Sequence, residues 1–256
     1  MITCRPEIAY QVIKLAQSSN RPAEVHFQAG KRVFRFLSQT KEHGITFWRR
    51  QAITALPDLP LPAPMSPPTD IVHQPAVHDF PADRLFGYAD SDWAMDTTHR
   101  RSISGIVYKL CGGPVAWKCR VQTVIAHSST EAELVCAADA GRMALCIRSI
   151  LGDVGIPQQD ATVIFEDNQG TVLVANAGQS TKHTRHIDIK TFAIQDWVEQ
   201  DLILLQQIET QLNAADMVTK QLGRQPFLRH WDNVAGRLVP RWSSASTADS
   251  PSSAVS

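Results

Sequence analysis

A proline-rich stretch divides the sequence into two unequal parts. Eight of the 15 prolines lie between positions 57 and 81, and Pro67 and Pro68 are adjacent. Because proline lacks an amide hydrogen and clashes with the preceding turn, this stretch can be neither a continuous helix nor a central strand. We therefore predict a linker at 57–83, between a helical segment at 1–56 and a larger domain at 84–240.

The two ends of the sequence show a helical pattern and a tail of low complexity, respectively. Pro6 is suited to the first turn of a helix, and the apolar residues of the 23–37 segment recur at helical spacing. The tail at 241–256 is rich in serine and alanine, which is typical of a disordered segment.

Composition narrows the classes of function. With 43% hydrophobic and 20% charged residues, the 256-residue chain can form an ordinary globular core. The net charge is zero, so nucleic-acid contacts would come from local basic clusters, such as Arg100-Arg101 or the 182–190 segment. No apolar run reaches membrane-spanning length and residues 1–6 do not resemble a signal peptide, so we expect an intracellular protein, cytoplasmic or nuclear. The five cysteines show no CxxC spacing, which favours reduced thiols.

The larger domain reads as alternating strands and helices. Cys111-Gly112-Gly113 is typical of a hairpin turn, Ser128 and Glu131 of a capping box, and Asn213 of a helix cap. Strands are predicted at 85–90, 105–110, 114–119, 161–165 and 202–208, and helices from 128 to about 151, from 167 to about 177 and from 214 onward. This order predicts an α/β fold with a mixed five-stranded sheet, in which three antiparallel strands precede crossover-linked parallel strands.

Four acidic residues lie at ends of these elements. Asp90 ends the first strand, Asp167 ends the fourth strand, and Asp216 is in the first turn of the last helix. Glu133 shares a helix face with small and apolar residues, which directs it toward the sheet. Taken singly, each could be a turn aspartate, a solvated glutamate or a helix cap. Converging carboxylates repel one another, and one or two Mg²⁺ or Mn²⁺ ions would resolve that repulsion and activate water for phosphoryl chemistry.

Six short motifs, in this order, resemble the ribonuclease H domain of copia-type LTR-retrotransposon Pol polyproteins. They are Gly87-Tyr88-Ala89-Asp90-Ser91-Asp92-Trp93, Arg100-Arg101-Ser102-Ile103-Ser104-Gly105, Ser128-Ser129-Thr130-Glu131-Ala132-Glu133, Asp167-Asn168-Gln169, the 182–188 segment and Ala215-Asp216-Met217-Val218-Thr219-Lys220. The segments at 5–10 and 26–44 resemble the C-terminal end of the reverse transcriptase that precedes this domain in such polyproteins.

The resemblance implies a ribonuclease H-like fold and a hydrolase that cuts RNA in RNA–DNA hybrids with two metal ions. Asp90, Glu133, Asp167 and Asp216 match the catalytic, metal-binding carboxylates of the family. Ser129, Thr130 and Gln169 match residues that line the minor groove, where they can hydrogen-bond 2′-hydroxyls. From their expected position near the open side of the sheet, Lys182, Arg185 and His186 are candidates for substrate binding through phosphate contacts.

Two alternative functions are also consistent with the sequence. The chain can be a catalytically inactive, nucleic-acid-binding relic of a retrotransposon, with any polymerase activity supplied by a reverse transcriptase elsewhere. It can also be an interaction module that uses its proline-rich linker and tail. A transposase or integrase of the same fold is disfavoured, because the order of the motifs matches ribonuclease H throughout.

Overall fold

The computed structural model describes residues 4–48, 80–94, 100–177 and 185–237, without the side chains of 185–189. The chain begins with a 3₁₀ helix, Pro6–Ile8, and a second one, Thr210–Leu212, follows the last strand. The remaining elements in these ranges are α1 (Ala9–Gln17), α2 (Glu24–Gln39), β1 (Phe86–Asp92), β2 (Ile103–Leu110), β3 (Gly113–Val121), α3 (Ser129–Asp153), β4 (Thr162–Glu166), α4 (Gln169–Asn176), α5 (Arg185–Glu199), β5 (Ile203–Gln207), α6 (Asp216–Thr219) and α7 (Arg224–Val234).

The five strands form one mixed sheet in the order β3-β2-β1-β4-β5. β1, β2 and β3 pair antiparallel, whereas β4 runs parallel to both β1 and β5. The β2–β3 turn places Cys111 and Gly112 at positive φ (52° and 76°), as a tight two-residue hairpin requires. The predicted fold class, a ribonuclease H-like mixed sheet flanked by helices, is confirmed.

One helix, α5, was not predicted from the sequence. It lies between the predicted helix that ends near 177 and the predicted strand at 202–208, where we predicted no element. Its inner face includes Ile194, but Thr191 and Gln195 occupy two other buried positions, so polar residues interrupt the apolar period. The Gln195 amide donates to the carbonyl of Val174 at 2.8 Å, which satisfies it against α4.

The sheet separates two cores. On one face, Tyr88 and Phe165 pack with residues of α1, α6 and α7, including Tyr10, Met217 and Trp231. On the other face, the alanine-rich side of α3 covers β1, β2 and β4. Since side chains alternate along a strand, the end of each central strand presents residues to both faces. This is where the acidic residues gather.

α3 is anchored at its start and along its length. The Ser128 hydroxyl accepts a hydrogen bond from the Glu131 amide at 3.1 Å, which confirms the predicted cap, and Glu131 in turn accepts from the His127 amide at 2.6 Å. Tyr108 donates its hydroxyl hydrogen to the carbonyl of Ala140 at 2.8 Å across the core. The predicted inward face is confirmed, since five of its members are buried: Glu133, Ala137, Ala140, Ala144 and Leu151.

Part of the N-terminal segment packs against the sheet and its helices. Ala9 and Tyr10 are buried in the core beside α6, and the Thr46 and Trp48 amides donate to the carbonyls of Ala235 and Cys111. α2, by contrast, buries none of its residues. At the end of the predicted linker, the Phe80 ring packs against the Phe86 ring in a tilted arrangement, with 4.8 Å between ring centroids.

Most of the predicted linker and the whole tail at 241–256 lie outside the described residues. The predicted boundaries between the segments therefore stay predictions. Among the described helices, we find none with the length and apolar character needed to traverse a bilayer.

Candidate metal centre

Three of the predicted acids meet at the ends of the central strands. Asp90 is near the end of β1, Glu133 is in the first turns of α3, and Asp167 directly follows β4. A carboxylate oxygen of each lies within 4.8 Å of an oxygen from the other two. Asp90 and Glu133 are buried, and Asp167 is half-buried. The cluster therefore opens to solvent on the Asp167 side.

The fourth acid, Asp216, joins this cluster through a lysine. Asp216 opens α6 and Lys220 follows at its C-terminal end, one helical turn later. The Lys220 ammonium lies 2.8 Å from an Asp216 carboxylate oxygen and 3.5 Å from an Asp90 oxygen. Asp216 thus lies beside Asp90 but outside the group of three whose oxygens meet directly. Lys220 was not predicted to take part in the site, although its spacing from Asp216 brings both side chains to one face of a helix.

Two buried polar side chains hold α6 against β1. The Asn213 amide donates to the carbonyl of Ala89 at 2.7 Å, and its carbonyl oxygen accepts from the Ala215 amide at 3.1 Å. The prediction that Asn213 caps a helix starting at Ala214 is wrong: the helix begins at Asp216, its N-cap residue is Ala215, and no side chain caps it. The Thr219 hydroxyl donates to the Asp90 carboxylate. These hydrogen bonds hold Asp216 at a fixed position relative to Asp90.

β2 allows α6 to approach closely because it carries Gly105 opposite Asp90. A Cβ atom at position 105 would lie 2.3 Å from a Thr219 methyl carbon and 2.8 Å from a Val218 methyl carbon. Both distances are well below van der Waals contact. The short distance between β1 and α6 thus depends on the missing side chain at this position.

Burial dominates the electrostatics of the site. Desolvation raises the pKa of Asp90 and of Glu133, and the charges of neighbouring acids raise both further. Desolvation, followed by the charge of Asp90, raises the pKa of Asp216 to about 7. Burial alone would lower the pKa of Lys220, but Asp90 and Asp216 raise it above its usual value. One ammonium therefore partly offsets several acids, and their raised pKa values mean that burial disfavours joint ionisation of the cluster when no further cation is present.

The donors suit a hard divalent cation. Carboxylate oxygens are the ligands that Mg²⁺ and Mn²⁺ prefer, and they come here from three separate elements. One Glu133 oxygen is buried without a hydrogen-bond partner among the described residues. A buried, unpaired carboxylate oxygen is costly unless a cation satisfies it. The type of ligand atom and the unpaired Glu133 oxygen therefore both fit a metal ion at this site.

A fifth acid lies at the same place. Glu166 is the last residue of β4, and its side chain is fully buried on the α3 face of the sheet. After desolvation, Glu166 is the next cause of the raised pKa of Glu133. Desolvation raises the pKa of Glu166 well above its usual value. An alternating strand pattern that ends in Glu-Asp would have indicated one acid on each face.

The predicted substrate contacts are only partly within the described residues. Ser129 and Gln169 are exposed at the starts of α3 and α4, and Thr130 is half-buried between them. The Thr171 hydroxyl donates to the carbonyl of Thr130 at 3.4 Å, which joins the two helix starts. Lys182 and the side chains of Arg185 and His186 lie outside the described residues.

No protein-family model matches the chain. It is similar to the retrovirus-related Pol polyprotein from transposon TNT 1-94 of Nicotiana tabacum, with 26% identity over 227 residues (89% of this chain and 15% of that protein). The Pol polyprotein from transposon RE1 of Arabidopsis thaliana is 29% identical over 237 residues, which are 92% of this chain and 14% of that protein. The secreted RxLR effector protein 161 of Plasmopara viticola is 35% identical over 145 residues, which are 57% of this chain and 81% of that protein.

Solved structures of ribonucleases H1 also resemble the chain. One, LC11-RNase H1, was isolated from compost by a metagenomic approach; it has a TM-score of 0.43 and 15% identity, with 54% of this chain and 93% of that chain covered. Another, from the archaeon Halobacterium salinarum, has a TM-score of 0.39 and 16% identity over 53% of this chain and 94% of that chain. The chain spans 14–15% of the length of the Pol polyproteins that it matches.

Proposed function

We propose that the chain, whose homologues are retrovirus-related Pol polyproteins from copia-type transposons, is a ribonuclease H-type, metal-dependent endonuclease. Its substrate would be the RNA strand of an RNA–DNA hybrid. The observation that carries the proposal is the meeting of the Asp90, Glu133 and Asp167 oxygens within 4.8 Å at one end of the sheet.

The chain's own residues have distinct roles in this proposal. Asp90, Glu133 and Asp167 would hold Mg²⁺ or Mn²⁺, and Asp216 would complete the site from α6. Such ions, when bound in a pair, lower the pKa of a water nucleophile and stabilise the charge on the departing oxygen. Thr219 and Asn213 keep Asp90 and α6 at a constant separation, and Lys220 balances part of the negative charge.

The hybrid would be recognised by its shape and its 2′-hydroxyls. Ser129, Thr130 and Gln169 lie at the starts of α3 and α4, close to Glu133 and Asp167 in sequence and structure. Each can donate to and accept from a hydroxyl group. We assign the phosphate contacts to Lys182, Arg185 and His186, which follow α4. These contacts position a duplex without reading its sequence.

The proposal extends to partner and compartment. A reverse transcriptase supplied elsewhere would produce the hybrid. Four of the five cysteines, Cys111, Cys119, Cys136 and Cys146, are free thiols, which fits a reducing intracellular compartment, either cytoplasm or nucleus.

Cleavage of a labelled RNA–DNA hybrid tests the function. We expect purified protein to cut the RNA strand with Mg²⁺ or Mn²⁺, and to leave single-stranded RNA and duplex DNA intact. Asp90→Asn and Asp167→Asn should abolish cleavage, since each removes a carboxylate from the cluster. Asp153→Asn, the same change at an exposed position at the end of α3, should cut like the wild type.

A negative result in the cleavage assay would distinguish two cases. If neither metal supports cleavage where a control ribonuclease H is active, the nuclease proposal is wrong. Salt-sensitive binding of the hybrid without cleavage, unchanged in Asp167→Asn, would instead favour an inactive nucleic-acid-binding relic.

A further inference from the structure

The start of α3, which carries Glu133, is held against the sheet by a side chain from the third strand. Gln122 directly follows β3 and is 4% exposed. Its amide nitrogen donates to the carbonyl of Ala132 at 2.9 Å, to the hydroxyl of Ser104 at 2.9 Å and to the hydroxyl of Ser91 at 3.3 Å. One buried amide therefore connects α3, β2 and β1.

The acceptors determine the orientation of this amide. A main-chain carbonyl can only accept, so the NH₂ group, and not the oxygen, must face Ala132. The NH₂ group has two hydrogens, which suit the two acceptors at 2.9 Å, and the bond to Ser91 is longer and weaker. The Gln122 oxygen is buried without a hydrogen-bond partner among the described residues. The cost of this unpaired oxygen offsets part of what the hydrogen bonds contribute to stability, so the main consequence of the amide is geometric.

Each of the three acceptors is adjacent in sequence to a residue that shapes the metal centre. These adjacent residues are Asp90, Gly105 and Glu133. Asp90 and Glu133 belong to the group of acids whose oxygens meet within 4.8 Å, and Gly105 pairs with Asp90 across the sheet. Because consecutive residues of a strand or helix move together, a hydrogen bond to each acceptor restrains the residue beside it. The amide therefore limits how far α3 can move from β1.

A second contact joins the same two elements one turn further along α3. The Cys136 thiol is fully buried and donates to the carbonyl of Asp90 at 3.1 Å. A thiol is a weak donor, so the amide of Gln122 makes the stronger of the two attachments. Two attachments are needed to prevent a helix from pivoting, and Gln122 supplies the one beside Glu133.

We propose that Gln122 is a positioning residue of the metal centre, which holds Glu133 at the separation from Asp90 at which both can bind the same cation. This inference rests on the proposed function, since it concerns the same ions. It assigns to Gln122 no direct contact with metal or substrate. Mg²⁺ requires oxygen ligands at about 2.0–2.1 Å in a nearly octahedral arrangement, so it tolerates little displacement of either acid. Residues that orient metal ligands typically change metal affinity by about 10–100-fold when they are substituted.

Gln122→Met tests the inference in the absence of nucleic acid. Methionine has a similar length but no N–H group, so α3 loses its attachment beside Glu133. Isothermal titration calorimetry measures Mg²⁺ affinity, and differential scanning fluorimetry in EDTA measures the thermal midpoint. At a temperature where the variant is folded, we expect the Mg²⁺ affinity to fall about tenfold. A residue that only stabilised the fold would lower the midpoint but leave the affinity of the folded protein unchanged.

Gln195→Met is the matched control. Gln195 is 9% exposed, and its amide donates to the carbonyl of Val174 at 2.8 Å, a bond between α5 and α4 that involves no residue adjacent to the three acids. The same substitution there removes one buried hydrogen bond, so we expect a lower midpoint and a Mg²⁺ affinity that matches the wild type. An equal loss of affinity in Gln195→Met would overturn the inference, because any lost buried hydrogen bond would then weaken the site.

Gln122→Asn covers the case in which Gln122→Met does not fold. Asparagine retains the amide but is shorter by one methylene group, so from the same backbone position it cannot reach all three acceptors. We expect its Mg²⁺ affinity to be lower than that of the wild type. If either variant is folded and binds Mg²⁺ like the wild type, the positioning role is refuted. If neither variant folds, the amide is required for folding itself, which also refutes a positioning role.

The inference and the function on which it rests can fail separately. If Asp90→Asn loses Mg²⁺ binding but Gln122→Met binds Mg²⁺ like the wild type, the metal centre stands and only the role of Gln122 is refuted. If the wild type does not bind Mg²⁺, the metal centre and the role of Gln122 fall together.

Discussion

At the scale of single residues, the site depends on which neighbouring groups favour the charge of a buried carboxylate. Asp90 is 2% exposed and has two partners that favour its charge, the Thr219 hydroxyl and the Lys220 ammonium. Both partners come from α6, so the element that carries Asp216 also supports Asp90. Lys220 is therefore the main positive charge that stabilises this side of the cluster without metal.

Lys220→Met should make the protein more dependent on metal. Without the ammonium, Asp90 and Asp216 lose their cation, and we expect the metal-free protein to lose about 1–3 kcal/mol of unfolding free energy. The rise of the thermal midpoint on addition of Mg²⁺ should grow, because a cation that binds only the native state then relieves more repulsion. Differential scanning fluorimetry with EDTA or Mg²⁺ measures both effects.

Lys118→Met provides the comparison for this prediction. The Lys118 side chain is 31% exposed, as is that of Lys220, and it pairs with Asp139 at 3.0 Å away from the cluster. Its substitution should leave the Mg²⁺ response unchanged. Equal Mg²⁺ responses in the wild type and Lys220→Met would show that the ammonium does not shape the metal centre.

The raised pKa of Asp216 predicts how the metal response depends on pH. Burial and then the charge of Asp90 raise this pKa from 3.8 to about 7. The folded state thus binds more protons than the unfolded state between these values, and unfolding free energy falls as pH rises through that window. Mg²⁺ favours the ionised carboxylates, so the midpoint increase that it causes should be small at about pH 5 and large at about pH 8.

The comparison with and without Mg²⁺ also removes an opposing contribution. Burial lowers the pKa of His230 to about 4, so its contribution to stability is lost as pH falls from 6.5 toward that value. His230 is not a member of the carboxylate cluster, and its contribution should cancel between the two conditions. Midpoint increases of the same size at both pH values would contradict the assignment of the acids to a metal centre.

The convergence of three acids could be predicted from the sequence, but the groups that balance their charge could not. Asp90, Glu133 and Asp167 could be predicted because each ends or begins a recognisable element, and these ends meet at one edge of a parallel pair. The contributions of Lys220 and Glu166 depend on which side chains share a buried space. That information follows from the packing of α6 and α3, which no local pattern specifies.

At the scale of elements, the approach of α6 to the sheet is the controlling distance. The missing side chain of Gly105 permits this close approach, and the hydrogen bond from Asn213 to the carbonyl of Ala89 stabilises it. The predicted helix at 214 was correct in kind, but a four-residue helix has too few residues to show a period. Its position depends on these contacts with β1 and β2.

Gly105→Ala should separate α6 from β1. The added methyl group would overlap Thr219 and Val218, and we expect a loss of about 1–3 kcal/mol of unfolding free energy from overpacking. Hybrid cleavage should fall more steeply than stability, because Asp216 and Thr219 move away from Asp90. Chemical denaturation and the cleavage assay, at a temperature where the variant is folded, measure the two effects.

Gly152→Ala is the natural control for the glycine. Gly152 lies in the last turn of α3, and a Cβ there would meet nothing within 4 Å. Its substitution should be neutral or stabilise the protein by up to about 1 kcal/mol, as alanine favours helices. If Gly105→Ala retained full activity, the close approach of α6 would not matter to the site.

At the scale of the whole molecule, the N-terminal segment does not behave as a separate body. The motif order predicted the sheet and its flanking helices, but the contacts of residues 5–48 join positions too distant for a local pattern to indicate. The Trp48 indole, for example, donates to the carbonyl of Gly236 at 2.7 Å, across 188 positions. Ile8, Ala9 and Tyr10 are buried, and the latter two belong to the same core as Met217 of α6.

Deletion of residues 1–48 should therefore destabilise the sheet and its flanking helices. Removing Ile8 and Tyr10 uncovers apolar surface of the sheet, and each buried side chain of this size contributes about 1.5–3 kcal/mol. α6, which packs against α1 and the first 3₁₀ helix, should lose part of its support, so Mg²⁺ affinity should fall as well. Deletion of the predicted tail, residues 241–256, should change neither the thermal midpoint nor the affinity. If the protein without residues 1–48 matched the full chain in both measurements, the packing of α1 against α6 would contribute nothing to the site.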